Sequence, residues 1–370
     1  MFKSVSYLID LQSLTNMDLQ DILNLTEVYL KNCIAADAEL IDSDSQALKK
    51  AIAGLEDRSL LALRVPQKWG GAEIAPEIFY QYQELTARYS GALCFLQTQH
   101  HSATSMLANS DNEKLKSRYL PAIAQKELRL GVGFSHLRRS GNRAVTATPA
   151  KNGYLLSGQV PWVTGLGLFQ KFIVAAVLPD ERAIFGLLPF ANVESEYGKI
   201  ACGEIMPLIA MSSTNTVTAT LTNWLLDESQ IISFQPKDWI VENDSKNVLN
   251  FVPATFGCIR AGLDIIEATA KAKNSDSIAH ACQTLENKLD RLKENFQQSQ
   301  HSSTAEKLAV RAKAIDLAVR CGHAAVAVSS GAANSQMHPA GRVYREALVY
   351  TVSGQTKDVM AATLDRLIKC

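Results

Sequence analysis

The chain is short of the features that most often announce a function. No Gly-x-Gly-x-x-Gly follows an apolar run, no Gly-x-x-x-x-Gly-Lys-Ser/Thr occurs, and no Gly-x-Ser-x-Gly is present, so a Rossmann dinucleotide fold, a P-loop and a hydrolase nucleophile elbow are not indicated. Net charge is also lacking: 37 Lys plus Arg are balanced by 37 Asp plus Glu. A chain without a field of one sign does not draw in nucleic acid or an anionic membrane. The seven cysteines (Cys33, Cys94, Cys202, Cys258, Cys282, Cys321 and Cys370) are scattered, odd in number and never spaced Cys-x-x-Cys. They predict reduced thiols, with neither a disulfide framework nor a zinc site. No His pair has metalloprotease spacing. His100 and His101 are adjacent, about 100° apart on a helix, which does not suit two ligands of one metal. The longest purely apolar run, Phe172 to Leu178, is far too short to span a bilayer. The start MFKSVSYLID carries no long apolar stretch behind its Lys, so no secretory signal is expected. These absences predict a cytoplasmic protein with no membrane span, no nucleic-acid partner and no metal.

What is present is ordinary globular composition, 47% hydrophobic and 20% charged, which at this length supports two or three packing units. Three textures follow one another. Residues 1–127 read as helical: Leu19, Ile22, Leu25 and Val28, then Tyr82, Leu85 and Tyr89, recur three and four apart, with a break at Val65-Pro66 and Trp69-Gly70-Gly71. Residues 128–238 read as β. Short runs such as Tyr154–Ser157, Phe172–Leu178 and Ala183–Leu188 alternate with turn residues, and Thr214 to Leu221 alternates Thr with Asn215, Val217, Ala219 and Leu221, a half-buried strand pattern. Residues 239–370 are helical again, with Leu308, Ala312, Ile315, Val319, Gly322 and Val326 forming one buried stripe and Gln297 to Thr304 a loop. The predicted class is α+β: an N-terminal helical domain, a middle antiparallel β-barrel or sandwich, and a C-terminal four-helix bundle.

Several local stretches then point to one family. Val65-Pro66-Gln67-Lys68-Trp69-Gly70-Gly71, Lys116-Ser117-Arg118-Tyr119-Leu120-Pro121, Asn152-Gly153-Tyr154-Leu155-Leu156-Ser157-Gly158 with Trp162-Val163-Thr164-Gly165, and His338-Pro339-Ala340-Gly341-Arg342-Val343-Tyr344-Arg345-Glu346-Ala347 resemble, in order and approximate spacing, motifs of the acyl-CoA dehydrogenases. The resemblance implies FAD (in one branch of the family, reduced FMN) bound between the β domain and the C-terminal bundle, and part of the site on a neighbouring subunit of a homodimer or homotetramer. An isoalloxazine ring needs a flat apolar surface and a few donors at its edge, and Trp162 and Thr164 match the motif positions that take this role. Ser135 and His136 match the strand end expected at the pyrimidine edge. Gly331 lies where the family has a glycine-rich turn, and Thr356 where it cradles the adenosine end. Leu137-Arg138-Arg139-Ser140-Gly141-Asn142 departs from the family's GxGSD loop, which puts the usual acyl-CoA contacts in doubt, although two arginines suit phosphate pairing.

The family's dehydrogenation needs a carboxylate against the substrate's α-carbon. Counting from Arg342 without a gap, that position is Gly354, preceded by Ser353, and the alternative stretch Asn247 to Gly262 holds no acid. Three readings stay open. The first is an FAD-dependent oxidoreductase acting on the CH–CH group of an acyl thioester, with an electron-transfer partner. The second is a monooxygenase similar to the dibenzothiophene-monooxygenase type, fed by a flavin reductase. The third is a catalytically silent flavin- or acyl-binding subunit. His100, His136 and Ser353 are the candidate catalytic residues.

Overall fold

The computed structural model describes residues 19–139, 141 and 143–369. The N-terminal segment read for a signal, Ser140 and Asn142 of the arginine loop, and Cys370 lie outside them. The chain runs from helices through a sheet to a second set of helices. The first set comprises α1 (Leu19–Tyr29), α2 (Ala38–Ser43), α3 (Ser45–Asp57), α4 (Pro76–Tyr89), α5 (Gly91–Ala108) and α6 (Glu113–Ala124). Their starts are written in the sequence: Asp44, Ser90 and Asn112 each accept the backbone N–H three residues on (2.8, 3.2 and 3.0 Å), satisfying a donor that the first turn would leave orphaned. Pro66 and the left-handed Gly70 (φ 86°) make the break between α3 and α4.

The middle holds β1 (Leu130–Gly133), β2 (Val145–Ala150), β3 (Gly153–Val163), β4 (Lys171–Val177), β5 (Ala183–Pro189), β6 (Val193–Ser195), β7 (Gly198–Cys202), β8 (Val217–Asp227) and β9 (Ile231–Gln235). They form one sheet in the order β6-β7-β8-β3-β2-β4-β5-β9, with β1 beside β4. The sheet is mixed: β1 and β2 both pair with β4 in parallel, where an antiparallel barrel or sandwich is expected. The chain between β1 and β4 crosses over through β2 and β3, and local pattern carries no record of such a pairing. The strand expected over Thr214–Leu221 begins later, at Val217, and runs on to Asp227; Thr214 closes a 3₁₀ turn flanked by left-handed Met211 and Asn215.

The last set comprises α7 (Trp239–Lys246), α8 (Val252–Lys273), α9 (Asp276–Ser299), α10 (Thr304–Ser329), α11 (Pro339–Val352) and α12 (Lys357–Ile368). α9 takes up the start of the expected Gln297–Thr304 loop. A capping box, Ser303 with Glu306, starts α10. The stripe predicted on α10 is one flank of a wider buried surface. Ala312, Ile315 and Gly322 of that stripe are buried together with Val310, Ala314, Leu317, Ala318, Cys321 and Ala325, while Leu308, Val319 and Val326 are half-buried. The reason is that α8, α9, α11 and α12 all pack against α10. Among the described residues no helix is long and apolar enough to cross a membrane.

Candidate functional site

One cavity of about 780 Å³ opens where the two helical sets meet the sheet, within the range of small-molecule sites. Phe95, Thr98, Gln99 and Ser102 face it from α5, Val132 and Phe134 from the end of β1, Asn243, Asp244 and Asn247 from α7, and Leu348, Val349 and Val352 from α11. The turn to α12 contributes Ser353, Gly354 and Thr356.

Trp162, at the end of β3, lines the cavity with its side chain 46% exposed, an unusual exposure for an indole that a core position would bury. Thr164 lies two residues on and is buried. Its hydroxyl shares a hydrogen bond with that of Thr216 at 2.9 Å, and Thr216 meets Thr214 at 3.3 Å. Three threonines therefore form a polar shelf beside the indole, held by the αL residues Met211 and Asn215 that set the preceding turn. Met211 is itself fixed by Asp42, whose Oδ1 accepts its backbone N–H at 2.6 Å. Ser135 begins the 3₁₀ turn after β1 and also lines the cavity. Thr356 does so as the N-cap of α12, accepting the Val359 N–H at 3.2 Å.

The histidines are elsewhere. His100 is fully buried, with Nε2 donating to Leu61 O at 3.0 Å and Nδ1 accepting the Leu130 N–H at 3.1 Å. Both ring nitrogens are spent, Nε2 on the connection between α3 and α4 and Nδ1 on the start of β1, and burial lowers its pKa to about 4. His136 turns inward and donates from Nε2 to Ala175 O on β4 at 2.9 Å; burial lowers it to about 4 as well. Neither ring lines the cavity, so the structure does not bring His100 and His136 to it. The 3₁₀ turn after β1 aims Ser135 and Arg138 at the cavity and His136 beneath it. Gly331 stands in an exposed turn, Ser330–Asn334, with open space around its Cα, and is not part of the lining. Ser353 is, but its hydroxyl donates to Val349 O at 2.8 Å, which closes the C-terminal end of α11.

Two residues that local pattern does not single out dominate the electrostatics. Among the described residues Asp244 is the one carboxylate that lines the cavity. Arg138 grips it by a two-point fork, Nε to Oδ2 and Nη2 to Oδ1, both at 2.7 Å, the geometry in which carboxylate and guanidinium bind most strongly. Both oxygens are thereby engaged. Arg311, on α10, is 4% exposed. It donates from Nη1 to Val248 O at 2.9 Å and from Nη2 to the carbonyls of Ser353 and Gly354. Burial lowers its pKa to about 10, with the like charge of Arg138 adding. The sequence signals are faint: Asp244 lies three residues before the stretch searched for an acid, and Arg311 interrupts an apolar helix face.

Known proteins resemble this chain in one domain's sequence and in the overall fold. A family model described as acyl-CoA dehydrogenase, N-terminal domain, matches residues 17–127. The chain is similar to a 3-(aryl)acrylate reductase of Clostridium sporogenes, 21% identical over 260 residues, 68% of either chain. It is also similar to an acyl-CoA dehydrogenase of Bacillus subtilis, 22% identical over 243 residues and 64% of either chain, less than two thirds of that relative's length. Among solved structures, butyryl-CoA dehydrogenase from Megasphaera elsdenii superposes with a TM-score of 0.77 at 15% identity, covering 95% of this chain and 100% of that one. The FAD complex of PigA superposes with a TM-score of 0.76 at 17% identity, covering 95% and 99%. Residues 17–127 thus match the acyl-CoA dehydrogenase N-terminal domain, and the chain as a whole has the acyl-CoA dehydrogenase fold.

The turn before α12 presents no acid to the cavity. Gly354 has φ 57° and no side chain to offer, and the two carbonyls around it are held by a cation, Arg311. At this turn the cavity is lined by a guanidinium and backbone.

Proposed function

We propose that the cavity holds the isoalloxazine ring of a flavin, FAD in the first instance, and that the chain is a flavin-dependent oxidoreductase acting on an acyl thioester or a related acyl compound without a carboxylate base at the turn before α12. The observation that carries the flavin is the half-exposed indole of Trp162 beside the hydroxyls of Thr164 and Thr216: a flat apolar face with polar hydrogens and lone pairs at its edge fits a flat heteroaromatic ring. A bound flavin would supply acceptance of hydride or activation of oxygen. The printed names of the relatives, a dehydrogenase and a reductase, and of the neighbour solved with FAD support this reading.

The chain's own residues determine the rest. Trp162 and the threonine shelf bind and orient; Phe95, Phe251 and Val352 exclude water, which strengthens every polar contact inside. The only side-chain carboxylate in reach, Asp244, has both oxygens on Arg138, so it is poorly placed to take a proton from carbon. A flavin monooxygenase fed by a partner reductase is the second reading, favoured by the same lack of a free carboxylate. We further propose a homo-oligomer, supported by α12, which leaves Met360, Leu364 and Ile368 exposed as one apolar face.

The purified protein, loaded with FAD and titrated with butyryl-CoA and octanoyl-CoA without oxygen, tests the reaction. The expected result is a visible flavin band that persists with both thioesters. Rapid bleaching by either would show an efficient base at work and overturn the base-free reading.

A further inference from the structure

The charges around the cavity do not cancel. Arg138 and Asp244 neutralise one another as a bidentate pair, which leaves Arg311 as a buried guanidinium that makes no ion pair among the described residues. A guanidinium has five N–H donors, and the three acceptors of Arg311 are all neutral carbonyls, those of Val248, Ser353 and Gly354. Partial compensation comes from the charge of Asp244, itself held by Arg138, from the C-terminal end of α11, where Ser353 is the cap, and from the Phe251 ring, whose centroid is 5.8 Å from the guanidinium carbon. None of these is a paired counter-ion. A buried charge left this way costs several kcal/mol, and holding a turn by its carbonyls does not require a full charge, since a neutral amide donates as well.

We infer that Arg311 is the anion-binding group of this cavity, and that the acyl compound bound there presents a carboxylate to it. The inference rests on the reading that the cavity is the ligand site, and it names the class of ligand. Phe95, Phe251, Val349 and Val352 line the same cavity as Arg311 and supply apolar surface for a stem. One surplus positive charge in a cavity with apolar side chains suits a monoanion on an apolar stem; a doubly charged phosphate would leave a second charge without a partner.

The test is calorimetric titration of the purified protein, with and without added FAD, by hexanoate and by hexanamide, which match in shape and differ in charge. Hexanoate is expected to bind at least about tenfold more tightly than hexanamide, the scale of one charge-assisted hydrogen bond. Arg311→Gln, with unchanged circular dichroism, is expected to bind the two equally, and Arg311→Lys to keep a preference. Equal affinities in the unmodified protein, or a preference that survives in Arg311→Gln, would overturn the inference; the unmodified protein decides it even if the Gln variant does not fold. Failure of the two readings is separable. A protein that takes up no FAD yet shows the Arg311-dependent preference contradicts the flavin alone, and one that takes up FAD without discriminating the ligands contradicts this inference alone.

Discussion

Arg342→Met is expected to lower the unfolding free energy by about 3–5 kcal/mol at neutral pH, the usual cost of removing one partner from a buried ion pair. Glu346 is 0% exposed. Its Oε1 accepts from Arg342 Nη1 at 2.8 Å and from the Gly91 N–H at 3.0 Å, and its Oε2 has no partner. Arg342 also reaches Glu39 at 3.1 Å, so one guanidinium on α11 serves two carboxylates and ties the bundle to α2 and the start of α5. Without it Glu346 keeps a single N–H. The pH dependence has a definite sign. Burial raises the Glu346 pKa in the folded protein and Arg342 is the main opposing influence, so the substitution raises it further. A carboxyl whose folded pKa is raised favours folding below its unfolded value and loses that contribution as the pH climbs through the folded one. The deficit of the variant should therefore be smallest near pH 4–5 and grow toward pH 8, as read from urea unfolding at both ends. Adding Glu346→Gln should recover part of the loss by removing the unpaired charge. A deficit below about 1 kcal/mol, or one that grows toward acid, would contradict this account.

Gly354→Glu puts a carboxylate back at the family's usual position, and the expected result is a less stable protein with no gain of dehydrogenation. At φ 57° any side chain is strained. An added Cβ would stand 2.7 Å from Phe251 Cε2 and 3.7 Å from Arg311 Nη2. Strain and overpacking together give a loss of about 2–4 kcal/mol. The new carboxylate, so close to an unpaired guanidinium, would pair with it and not stand free to take a proton. Chemical unfolding measures the first effect, and anaerobic octanoyl-CoA on the flavin-loaded variant the second. A variant as stable as the parent that bleaches its flavin would show that the turn tolerates a base and lacks only the side chain.

Periodicity was enough to place helices before and after a sheet, because a 3.6-residue repeat and a 2-residue alternation are properties of neighbours in sequence. The parallel pairing of β4 with β1 and β2 is not such a property, and it was not legible. The same boundary runs through the site. Trp162 and Thr164 stand out because they are two residues apart on one chain segment. Arg311, Asp244 and Arg138 come from α10, α7 and the turn after β1, and their relation exists only once three elements meet. The histidines mislead for a related reason: sequence marks a titratable ring but not the side of the element it faces, and His100 and His136 both face inward onto backbone groups. Gly354 shows the opposite case, since the lack of a side chain is read directly from the sequence and the structure places that residue at the cavity.

The most direct measurement is the uptake of FAD by the purified protein and by Trp162→Ala, followed by visible absorbance and by fluorescence titration. The account predicts stoichiometric, saturable binding to the parent. It predicts affinity weakened by about tenfold or more when the indole face is removed, with unchanged circular dichroism. A parent protein that takes up neither FAD nor reduced FMN, or a Trp162→Ala variant that binds flavin as tightly as the parent, would contradict it.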